Sequence, residues 1–132
     1  MSDTAQILEN LRLALEITQR LEYVQKVRDL CLQKIAHIQQ LAEANAMALL
    51  DANATAKLES TRNVLSGAEV HLTELSERVG KVTVSAGASS DKEVERVMRM
   101  AIGSLDSLQS VLENELFMLD ELIETLEGKL GS

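Results

Sequence analysis

No proline occurs anywhere in these 132 residues. Proline removes a backbone donor and clashes with the turn before it, so its absence lifts the commonest barrier to a long helix. Charged residues make up 26% and aromatic residues only 2%, and the remaining bulk is rich in Leu and Ala, a mixture typical of long helices. With one Tyr, one Phe and no Trp, the core must be filled by aliphatic side chains, which suits helices packed along their lengths. The length allows one domain with its own core. These constraints predict an all-α fold, an elongated antiparallel three-helix bundle with coiled-coil-like packing, as a single domain over residues 1–132.

Periodicity divides the chain. Asp3 is placed as an N-cap with Gln6 reaching back to it, starting a helix from Asp3 to about Glu43. Its expected inner face is Ile7, Leu11, Ala14, Leu21, Val24, Cys31, Ile35, Ile38 and Ala42, spaced by helical steps, with Glu16–Arg20 and Glu22–Lys26 as i,i+4 pairs outside. From Leu41 to Lys57 the pattern dissolves into alanines broken by Asn45, Asp51 and Asn53, residues that favour caps and turns. A reversal near Asn45 or Asp51–Asn53 gives three segments of similar length; the alternative is one very long first helix in an oligomer.

The second helix, about Asn45 to Val79, carries the most regular period: Leu58, Thr61, Leu65, Ala68, Leu72, Leu75, Val79 and Val82 alternate steps of three and four. Ser66 with Glu69 imitates a capping box beside Gly67, which keeps a four-helix arrangement broken near Ser66 as an alternative. Residues 80–90, with glycines, β-branched residues and serines, read as a flexible loop. Ser90 and Glu93 then cap a third helix from Asp91 to about Lys129, whose apolar face runs through Ala101, Leu105, Leu108, Leu112, Leu116, Leu119, Ile123, Leu126 and Leu130.

The formal charge of −8 opposes binding to nucleic-acid phosphates or anionic lipids. Its excess is local: Met100 to Ser132 holds seven acids against Lys129 alone. Every apolar cluster is interrupted by charge within a few positions, so no membrane span is expected. A single cysteine, Cys31, and an N-terminus without a secretory pattern point to a reducing, cytoplasmic setting.

Catalysis needs a nucleophile beside a base, split carboxylates or a metal cage. Cys31 and His37 lie about 120° apart on a helix at 3.6 residues per turn. His37 and His71 lack the Glu-x-x-His or Cys-x-x-Cys spacing of a metal site, and Gly80–Lys81 lacks the preceding glycine of a phosphate loop. The expectation is therefore no enzyme, no cofactor and no metal.

Two surfaces exceed what a minimal bundle needs. Leu8 and Leu15, roughly continued by Leu30, form a second apolar stripe on helix one, expected to be an oligomer interface. Phe117 falls opposite the core stripe of helix three, among Glu113, Asp120, Glu121 and Glu124, acids that the C-terminal helix dipole disfavours. That pattern suggests a protein-binding surface, with the ring as anchor and the acids as a rim steering a basic partner. The expected function is a non-catalytic protein–protein interaction or assembly module, an adaptor that forms a homo-oligomer. The alternative is a small helical carrier or chaperone shielding an apolar segment of a client.

Overall fold

A computed structural model describes residues 2–45, 50–86 and 92–131, and the described residues are helical apart from Asn45, Leu50 and Asp51. α1 spans Ser2–Ala44, α2 Ala52–Ala86 and α3 Lys92–Gly131. At 1.5 Å per residue the bundle is about 60 Å long.

Asn45 and Asp51 divide the work of the first turn. The Asn45 amide donates to the Ala42 carbonyl at 3.2 Å and its Nδ2 donates to the Leu41 carbonyl at 2.9 Å, satisfying acceptors that the end of α1 would leave open. Asp51 Oδ1 accepts from the Ala54 amide at 2.8 Å, the N-cap geometry, so α2 starts at Ala52 rather than near Asn45. α1 already includes Ser2, so the helix begins before the Asp3 position expected as its N-cap. α2 also continues past Val79 to Ala86, so residues 80–86 belong to the helix and not to the expected loop. Ser90 lies outside the described residues.

Consecutive helices run antiparallel, which leaves α1 and α3 parallel. Their polar contacts advance together: Gln6 with Glu95 at 3.2 Å, Arg99 with Glu9 at 2.9 Å, Arg20 with Asp106, Lys34 with Asp120 at 3.0 Å and His37 with Glu127 at 3.6 Å. This pair is the most intimate in the bundle. α2 runs the other way, tied by Arg28–Glu69 at 2.9 Å, Thr61 Oγ1 donating to Glu115 at 2.8 Å, and Lys129–Asp51 at 3.7 Å.

One apolar core runs the length of the molecule, through Leu13, Ile17, Val24 and Cys31 of α1, Leu58, Leu65 and Leu72 of α2, and Leu105, Leu112 and Leu119 of α3. The described side chains of the α2 seam, Leu58 through Val79, are all buried as the period predicts. Helix one departs from the expected face near its start: Leu11 is exposed and Ile7 half-buried, while Asn10, Leu13 and Ile17 point inward. Asn10 is tolerated there because Gln6 Nε2 donates to its Oδ1 at 3.1 Å. On α3, Leu130 is exposed rather than continuing the core.

Candidate interaction face

Between Met100 and Met118 the chain has only three charged residues, Asp106, Glu113 and Glu115. All three are held by partners on α1 or α2 at the edges of the outer surface of α3, where Asp106 and Glu113 remain exposed. Asp106 is held by Arg20, and Glu113 accepts from Tyr23 Oη at 3.3 Å, so both lean toward α1. Glu115 turns the other way and accepts from Thr61 of α2. The outward face over about five turns is consequently uncharged, comprising Met100, Gly103, Ser107, Ser110, Val111, Asn114, Phe117 and Met118, all exposed. Phe117 and Met100 are each 61% exposed, Val111 47% and Met118 37%.

Charge returns at the two ends with opposite signs. Arg96, paired with Glu93 one turn earlier, extends toward the face, its Nη1 at 3.4 Å from Met100 Sδ. Glu121 and Glu124 are exposed one to two turns beyond Phe117. An exposed uncharged face with large apolar side chains toward both ends, bounded by charge, resembles the anatomy of interaction surfaces, which combine an aromatic anchor with a polar rim.

The acids expected to surround Phe117 therefore separate. Glu113 and Asp120 line the groove between α1 and α3, about 380 Å³, with Phe117 at its edge. Glu113 sits against the Tyr23 hydroxyl, and its charge pushes that phenol above its ordinary pKa. Glu121 and Glu124 instead line a groove of about 560 Å³ on the α2 side, near Asp51, Lys57 and Lys129.

Leu8 and Leu15 are 62% and 60% exposed and share their stripe with Leu11. Leu30 does not continue that stripe into one patch; the parallel pairing of α1 with α3 brings it into the same groove as Phe117. Sequence reasoning treated Leu30 and Phe117 as belonging to two surfaces, because no periodicity within a helix reveals which faces meet between helices. The uncharged face was readable, since it needs only the positions of three acids at 100° per residue.

The groups singled out for chemistry are dispersed. Cys31 is fully buried, its Sγ 3.6 Å from the Leu112 carbonyl, and burial pushes the thiol up to about 11. His37 is exposed beside Glu127, and His71 is exposed on α2. Among the described residues, no three His, Cys, Asp or Glu side chains converge as a metal cage, and no helix is long and apolar enough to cross a membrane. No protein-family model, curated protein or solved structure matches this chain.

Proposed function

We propose that the chain is a non-catalytic interaction and assembly module that docks a helical protein partner on the outer face of α3. The observation that carries this reading is Phe117, 61% exposed at the end of a face whose charges between Met100 and Met118 are all held at its edges by α1 or α2. Leaving such a face in water forgoes roughly 25 cal/mol for each Å² of apolar surface that a partner would cover. Glu121 and Glu124 favour a partner with cationic side chains beside its apolar stripe, since opposite charges at a rim accelerate encounter and fix orientation.

A photoreactive phenylalanine analogue at position 117 tests the reading. It should give a discrete protein adduct on irradiation, whereas the same analogue at the exposed Ser66, on the α1–α2 side, should not. Equal labelling at the two positions, or none at 117, would reject the outer face of α3 as the docking surface.

A further inference from the structure

Resting on that reading, we infer that the partner is a second copy of this chain, with the two α3 helices packed antiparallel about a two-fold axis between Leu108 and Gln109. The order of residues along the face leads to this pairing. Counted from that axis, Met100 stands opposite the partner's Phe117, Ser107 opposite the partner's Ser110, and Gly103 opposite the partner's Asn114. Arg96 stands opposite the partner's Glu121, and the two-fold repeats each pairing.

Every one of these pairings is physically favourable. The Met100 thioether meets an aromatic ring, a contact that sulfur makes readily. Arg96, already lying along the face toward Met100, reaches both the ring and the carboxylate of the other copy. Near the axis the side chains are small, Gly103, Ser107 and Ser110, so the two backbones can approach to the lower end of the usual 8–10 Å helix separation. A Cβ added at Gly103 would meet nothing within 4 Å in the single chain, so intramolecular packing gives no reason for the small residue there.

Electrostatics select the direction. A parallel pair would place Arg96 on Arg96 and Glu121 and Glu124 on their own copies. The antiparallel pair sets Arg96 of each copy against Glu121 of the other, and leaves Glu124 opposite the partner's Glu93 at the outer edge, where each Glu93 is already paired with its own Arg96. The uncharged centre imposes no desolvation of ions, so the charges lie at the rim, where pairing costs little.

Size sets the strength. From Arg96 to Glu121 the contact is about 39 Å long at 1.5 Å per residue, and with a helix about 12 Å wide it covers roughly 450 Å² on each copy. A total near 900 Å² lies below the roughly 1,200–2,000 Å² of stable specific interfaces and in the range of transient ones, so association should be weak and reversible, in the micromolar range.

The test is sedimentation equilibrium of the purified chain from about 5 to 200 μM, with circular dichroism as the control for helicity. The chain should pass from monomer to dimer over that range. Arg96→Glu and Glu121→Arg should each weaken the dimer at least tenfold, and the double variant carrying both should recover most of the loss. A chain that stays monomeric at 200 μM overturns the self-association. Photoadducts from position 117 to a different protein would then uphold the docking face without the second copy. A dimer that ignores both charge reversals but is broken by Leu8→Glu with Leu15→Glu overturns the inference and places the contact on α1.

Discussion

α1 and α3 are joined differently from either helix and α2. The parallel pair is bound along its whole length by interhelical polar ties, from Gln6–Glu95 at one end to His37–Glu127 at the other, above a continuous core. α2 has the more regular seam but the less intimate packing, and it is anchored at intervals, by Arg28–Glu69, Thr61–Glu115 and the capped end at Asp51. Regularity of a pattern and intimacy of packing are thus separate properties. A strict three–four alternation is the signature of a narrow stripe, whereas a helix that serves two neighbours needs a wide and less regular one. α1, whose pattern is harder to read, touches more.

The contrast is most directly tested in the core. Leu112 is fully buried between the parallel helices, and Leu112→Ala should cost about 2–5 kcal/mol of folding free energy, the range for cavities left by leucine. Leu72→Ala on α2 should fall toward the low end of that range, because a loosely packed helix can collapse into the space it vacates. Chemical denaturation of the two variants decides; an equal or reversed order would mean that α2 is held as firmly as the other two.

Amide exchange sharpens the same comparison without mutation. Amides at the centre of α1 and α3, around Ile17 to Cys31 and Leu105 to Leu112, should exchange only with global unfolding, while α2 should exchange faster through partial opening. Uniform protection across all three helices would remove the distinction.

The smallest effect belongs to the end of α2. The Ala54 amide holds the Asp51 carboxyl below the usual carboxylate range, with the Lys129 charge a lesser cause. A carboxyl whose pKa is lowered by folding stabilises the fold above its unfolded value, about 4, and loses that contribution as the pH falls through the folded value. Asp51→Ala should therefore lower the thermal midpoint slightly near neutral pH, by an amount that shrinks as the pH is lowered below about 4. A deficit that persists in acid would show that the side chain acts by something other than its charged cap.

The all-α class and the three segments were legible because the periods of α2 and α3 admit one choice of inner face. The start of α1 was not, since Leu8, Leu11, Leu13 and Leu15 supply an apolar residue for several faces, and hydrophobicity alone does not rank them. The structure chooses the face that includes Asn10, a position no hydrophobic count would select. Residues 80–86 misled in the opposite direction: Gly80, Val82, Thr83 and Val84 are weak helix formers, yet each costs only about 1 kcal/mol or less relative to alanine once a helix is already propagating. Of the candidate site, the exposure of Phe117 followed from helical phase. The partition of its acids between α1 and α2 depended on how the helices pair, which one strand of sequence does not encode locally.

Three passes along one axis is an odd number. Ser2 therefore lies at one pole of the bundle and Gly131 at the other, about 60 Å away at the rise of an α-helix. An even number of passes would return the chain to its origin. This one leaves Ser2 and Gly131 at opposite poles, at a separation that the backbone hydrogen bonds of three helices keep fixed.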